Sequence, residues 1–147
     1  MSDEGKYNFR LTKNEILRGF NAYSEVLSNS KVVSSEFLKA YVSRDIKVAD
    51  SKEFSKSPLF RFPLKVGFII AKKKISKSVF RNRLKRLLKE SYRLRKNTIT
   101  HNCMNAKLIF TLNEKGYGYV KQNPGVKLDF FFAEMDSLIS SLNKIFK

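Results

Sequence analysis

A chain of 147 residues with 42% apolar content has room for one domain around one core, and little more. Its formal net charge of +17, from 30 Lys and Arg against 13 Asp and Glu, exceeds anything solubility requires and points to polyanionic partners, nucleic acid or an anionic membrane surface. No apolar run reaches the ~20 residues of a membrane span, the acidic start MSDEGKYNFRL is unlike a secretory signal, and the single Cys103 excludes an internal disulfide, so a cytoplasmic location is expected.

In chain order, Thr12-Lys13-Asn14-Glu15 reads as a capping box, followed by Ile16, Leu17 and Phe20 at helical spacing, which predicts a first helix over about 13–23. Residues 24–36, rich in Ser and Asn, read as loop. From Phe37 to Arg44 the pattern alternates, with Leu38, Ala40 and Val42 on one face and Phe37, Lys39 and Tyr41 on the other, as in a strand. Residues 45–63 read as a long connection. Leu64 to Ala71 (LKVGFIIA) predicts a second strand in the middle of a sheet. Lys107 to Leu112 predicts another, and residues 113–126, with Gly116, Gly118, Pro124 and Gly125, read as loop. From Asp129 to Ile145, Phe131, Met135, Leu138, Ile139, Leu142 and Ile145 recur at helical spacing. The order helix-strand-strand(-strand)-helix-strand-helix predicts a single α+β domain, a two-layer α/β sandwich, with extra loops at about 24–36, 45–63 and 113–127.

The charge is concentrated between Lys72 and Lys96, where twelve Lys or Arg stand against Glu90 alone, a net +11 of the +17. On a helical wheel from Ser78 to Arg95, Phe80, Leu84, Leu87, Ser91 and Leu94 share one side. Asn82, Arg86, Lys89 and Arg93 form a stripe on the other, widened by Arg81, Lys85 and Arg83. Ser76 or Ser78 is placed to cap the start. An ordinary exposed helix face alternates charge sign, because like charges at i,i+4 repel by a few tenths of a kcal/mol each. A ridge of one sign becomes favourable when phosphates neutralise it and counterions are released.

The stretch AKKKISKSVFRNRLKRLLKESYRL resembles the signature of the bacterial ribonuclease P protein component family: a lysine pair after a strand, a spacer, then R-N-R-x-K-R-x-x-R/K-E. The match runs through Lys72, Lys73, Arg81, Asn82, Arg83, Lys85, Arg86, Lys89 and Glu90. RLTKNEILRGF resembles the family's first helix and LKVGFIIAKK its central strand. Departures are Ser76 where glycine is common, Ile16 where phenylalanine is common, and extra length in the loops. The resemblance implies an α/β sandwich with a left-handed βαβ crossover, against the usual right-handed rule. It implies a monomer bound 1:1 to a catalytic RNA subunit, in a holoenzyme that removes the 5′ leader of precursor tRNA with Mg²⁺ held mainly by RNA.

The RNA-binding set is then Lys72, Lys73, Lys74, Lys77, Arg81, Asn82, Arg83, Lys85, Arg86, Lys89 and Arg93. A leader-binding cleft between the first helix and the sheet would use Ile16, Phe20, Phe37, Lys39 and Tyr41, since single strands stack on aromatics beside cations. Phe20 and Phe37 equally suit a core. No catalytic residue is expected in this chain, nor any small-molecule substrate. His101 is the lone histidine, and the carboxylates, Asp45, Asp50, Asp129, Glu134 and Asp136 among them, suggest no two-metal cage. The competing reading is a basic ribosomal or RNA-chaperone protein that uses the same helix without a leader site.

Overall fold

The computed structural model describes residues 15–28, 30–44, 64–99 and 106–145. The start of the capping box, the 45–63 connection, His101 and Cys103 lie outside the described residues. Four strands, β1 (Lys31–Ser34), β2 (Leu38–Arg44), β3 (Lys65–Phe68) and β4 (Ala106–Leu112), form one mixed sheet in the order β1-β2-β4-β3. Pairs β1–β2 and β2–β4 are antiparallel, and β3–β4 is parallel. Four helices accompany it: α1 (Phe20–Ser28), α2 (Ser78–Arg95), α3 (Glu114–Gln122) and α4 (Leu128–Ile145). A 3₁₀ turn, Lys96–Thr98, extends α2. The parallel β3–α2–β4 unit is the crossover that carries the basic helix.

The core follows from alternation along the strands. Leu38, Ala40 and Val42 of β2 and Leu108, Phe110 and Leu112 of β4 are buried against Leu84, Leu88 and Tyr92 of α2 and Phe131, Met135, Leu138 and Leu142 of α4. Phe110 stacks on Phe68 with ring centroids 5.8 Å apart and meets Tyr92 at 5.3 Å, which ties α2 to the sheet through three aromatic rings. The opposite face of β4 is also covered: Ile109 packs with Leu17 and Val26, joined by Tyr23 and Tyr41. Flanked by strands on both sides and buried on both faces, β4 reads as a nearly continuous apolar run, AKLIFTL.

Four expectations require correction. First, LKVGFIIA is an edge strand of four residues, because β4 takes its place between β2 and β3. Its free side is partly covered by Ile16, which bridges to Val66, and by the Leu17 amide, which donates to the Val66 carbonyl at 2.8 Å. That pairing holds Ile16 and Leu17 extended, so α1 begins only at Phe20, after Gly19 turns the chain with φ +92°. Second, residues 24–28 are therefore helical. Third, 31–34 form β1, a strand hidden in a polar stretch.

Fourth, the supposed loop after β4 contains α3. Its N-cap is Asn113, whose side-chain oxygen accepts from the Gly116 amide at 2.8 Å. The same side chain donates to the Ser35 and Glu36 carbonyls, clamping the helix start to the β1–β2 turn. Glu134 of α4 holds the same turn from the other side, accepting from the Ser35 hydroxyl and the Phe37 amide.

Gly116 lies so close to this turn that a Cβ there would run into the Phe37 carbonyl, whereas Gly118 faces open space. Gly116→Ala should therefore lower stability by about 1–3 kcal/mol through overpacking. Gly118→Ala in the same helix should raise it by about 0.4–1 kcal/mol. Urea unfolding of the two variants checks both signs.

Candidate nucleic-acid interface

Helix α2 spans the predicted Ser78–Arg95. Leu84, Leu88, Ser91 and Tyr92 are buried, with Phe80 and Leu87 packed partly against the same core; Leu88 and Tyr92 widen the predicted seam. Ser91, polar but buried, donates to the Leu88 carbonyl at 2.7 Å. Opposite, Asn82, Arg86 and Lys89 are exposed, and Lys85 is half-buried. The expected serine cap is absent. Lys77 occupies the cap position without a side-chain hydrogen bond.

What fixes the approach to α2 is a set of bonds the sequence did not advertise. The turn carrying exposed Lys72 and Lys73 closes through the Lys74 and Ile75 amides, which donate to the Ala71 carbonyl at 3.1 and 2.9 Å. The Ala71 amide donates to the Tyr117 hydroxyl at 2.9 Å, and that hydroxyl lies 3.1 Å from the Thr111 hydroxyl. Arg81 reaches back, and its Nη1 donates to the Ile75 and Ser76 carbonyls at 3.0 and 2.9 Å. Arg83 reaches the other way, with Nη1 to the Pro124 carbonyl at 3.1 Å and Nη2 to the Val126 carbonyl at 2.6 Å. The two arginines of R-N-R thus brace α2 against the lysine turn on one flank and the α3–α4 connection on the other, leaving Asn82 outward between them.

The cations divide into neutralised and unneutralised groups. Lys74 pairs with Glu114 at 2.8 Å and Arg93 with Glu90. Beyond them, Arg95 pairs with Asp136 and lies over the Phe132 ring, and Lys96 pairs with Glu15. Among the described residues, none of the ion pairs involves Lys72, Lys73, Lys77, Arg81, Arg83, Lys85, Arg86 or Lys89. The uncompensated charge therefore runs from the lysine turn over the first three turns of α2, and the end of the helix is balanced by the protein itself. The Arg93 guanidinium holds the Glu90 carboxyl below its ordinary value. The pair's contribution is thus complete above the unfolded carboxylate range and is lost only as pH falls through the lowered folded value.

On the opposite face of the sheet, α1 meets the outward side of β2, β4 and β3. The Tyr23 ring covers Gly67, where a Cβ would meet its hydroxyl at 2.5 Å, and burial raises the Tyr23 pKa. Tyr41 is half-buried here, with the Lys39 ammonium 5.2 Å from its ring centre. Phe20 is 85% exposed, which excludes the core alternative for that residue. Ile16 sits at the β3 edge.

Phe37 does not join them. It lies in the bend before β2, with its ring 5.1 Å from both Tyr119 and Phe130 and with Lys115 above it, in a cluster of α3 and α4. The bend takes it out of the strand's alternation. Two lysines that the sequence reading passed over occupy the Tyr41 face instead: Lys65 and Lys107 pair in register, and each alternates with the inward Val66 and Leu108. The sequence signal was present in that alternation.

Among the described residues, no three His, Cys, Asp or Glu come together to hold a metal ion. The bracing bonds give a sharp stability test. Arg81→Ala and Arg83→Ala should each cost about 1–3 kcal/mol, the loss of charge-assisted bonds to carbonyls. Arg86→Ala should stay within about 0.5 kcal/mol of wild type. Thermal melts that ranked Arg86→Ala with the other two would contradict this division.

The family model for Ribonuclease P matches residues 11–121. The ribonuclease P protein components of Chlorobaculum tepidum and Chlorobium phaeobacteroides are 37% and 36% identical to this chain over 90 and 93 residues, 61% and 63% of its length. These alignments span 53% and 58% of those relatives, so the chain matches a little over half of their length. Among solved structures, the ribonuclease P proteins of Staphylococcus aureus and Thermotoga maritima superpose with TM-scores of 0.61 at 12% and 16% identity, covering 90% and 85% of this chain and 98% and 94% of theirs. At that identity they establish the fold. The family match over residues 11–121, the R-N-R helix within it and the shared fold agree: the chain belongs to the bacterial ribonuclease P protein family.

Proposed function

We propose that this chain is the protein subunit of a ribonuclease P, binding the catalytic RNA through α2 and the lysine turn and the 5′ leader of precursor tRNA across the α1 side of the sheet. The observation that carries this reading is the uncompensated ridge of Asn82, Arg86 and Lys89 on a helix whose other side is locked in the core. Cationic side chains projecting from an α-helix fixed in the core fit the phosphates of a folded RNA, and counterion release supplies the free energy. Leader removal is an endonucleolytic hydrolysis in which this protein positions substrate and lessens repulsion between two RNAs. Mg²⁺, held by RNA, supplies the charge stabilisation that the reaction requires.

The α1 side supports the leader part of the proposal. Exposed Phe20, half-buried Tyr41 and the cations Lys39, Lys65 and Lys107 combine stacking surface with charge, as unpaired nucleotides require. A ribosomal or chaperone protein without a leader site would show no affinity that grows with the number of unpaired 5′ nucleotides. None of the described helices is long and apolar enough to cross a membrane. A 1:1 monomeric complex with the RNA completes the proposal.

Purified protein should show no cleavage of precursor tRNA alone and should restore leader removal by the RNA subunit at low Mg²⁺; absence of rescue would contradict the reading. Affinity for precursor tRNA should grow as unpaired 5′ nucleotides are added. Tyr41→Ala should flatten that dependence, weakening leader binding by about 1–3 kcal/mol per lost stacking contact without weakening association with the RNA subunit.

A further inference from the structure

Between the lysine turn, the start of α2 and the α3–α4 connection lies an open cavity of about 560 Å³. Its apolar wall is Ile75, Val79, Phe80 and Pro124. Val79 is the anomaly here. It is 81% exposed, on a helix whose core side is already filled by leucines, so packing within this chain does not explain a β-branched apolar residue at that position.

The rim is cationic. Lys77 and Lys121 border the opening, and among the described residues neither enters an ion pair. Lys74 and Arg83 also line it, but they are held, Lys74 by Glu114 and Arg83 by the Pro124 and Val126 carbonyls. Because Arg83 fastens the Pro124 side to α2, the cavity has a fixed floor, with two ammonium groups outside any ion pair among the described residues at its mouth.

We infer that this cavity takes a single unstacked nucleotide of the partner RNA, its base against Val79, Phe80 and Pro124 and its phosphate between Lys77 and Lys121. The volume suits one nucleotide, within the usual range for ligand sites. The flat apolar wall suits any base, and the two lysines supply the charge complement. An acidic peptide could satisfy the lysines and the wall, but Lys77 continues the run of cations that, among the described residues, lie outside any ion pair along the lysine turn and α2, and that continuity favours RNA. The inference rests on the RNA-subunit reading above and adds to the α2 ridge a site that recognises an unpaired position rather than a helical backbone.

The test uses the full chain bound to ribonuclease P RNA. Val79→Ser removes only an exposed methyl surface and should leave the melting temperature unchanged while weakening RNA binding about tenfold, through loss of apolar contact with the base. That loss should be independent of salt, because no phosphate contact is removed. Lys121→Gln should weaken binding less and reduce the salt dependence. A benzophenone amino acid at position 79 should cross-link to one unpaired nucleotide of the RNA.

Wild-type protein that binds the RNA while Val79→Ser binds equally well, or a cross-link scattered over many nucleotides or found on protein, would overturn the cavity assignment and leave the RNA-subunit reading standing. No binding by wild-type protein would instead defeat that reading itself. Inorganic phosphate and the four nucleoside monophosphates provide a second readout on the free protein. Methyl resonances of Val79 should shift with the nucleotides and not with phosphate alone; equal shifts with both would also contradict a base site.

Discussion

Everything on the basic side of this protein depends on how α2 is seated. Leu84, Leu88 and Tyr92 are buried beneath it, and the Tyr92 ring is wedged against Phe110 of β4. Burying one such side chain contributes about 1.5–3 kcal/mol, whereas each like-charge neighbour on the outer face costs a few tenths. The packing term wins severalfold, so the helix can carry Arg86 and Lys89 on one face with neither engaged in an ion pair among the described residues. The fold thereby fixes the backbone that carries a high density of positive charge before any polyanion arrives, so that association has only the side chains left to order.

The same residue type does two jobs within one motif. Arg81 and Arg83 flank Asn82 in sequence but turn to opposite flanks in space, each ending on backbone carbonyls that no regular hydrogen-bond ladder satisfies. Lysine at these positions would bring a single ammonium group where the guanidinium offers several donors in a fixed plane. Arginine is therefore needed here for architecture as well as for charge. The result is a braced corner in which the lysine turn, the helix and the α3–α4 connection are tied together, and this sets the backbone positions from which the exposed cations project.

How much of this could be read in advance depended on whether a residue's role is set by near or far neighbours. Helices α2 and α4 were legible because eighteen residues of regular spacing leave few alternatives, and β2 because strict alternation survives partial burial. Helix α3 was not, since two glycines each cost about 1 kcal/mol of helix propensity, and the reason for Gly116 is a carbonyl from a distant turn. The start of α1 was displaced because Ile16 and Leu17, helical by spacing, are captured by the open edge of β3. In the site, the ridge was visible as unrelieved charge. That Arg83 looks inward was not, because its partners Pro124 and Val126 lie 41 and 43 residues away. Phe37 was misplaced for a local reason, a bend just before the strand that carried the alternation.

The central claim is that the α2 ridge works by neutralising RNA phosphates. The most direct measurement is the salt dependence of affinity for the ribonuclease P RNA, compared between wild type and the Arg86→Ala/Lys89→Ala double variant. The slope of log K against log salt should become shallower by about 0.7–0.9 for each phosphate contact removed, with thermal stability unchanged. An unaltered slope in a fully folded double variant would contradict the account.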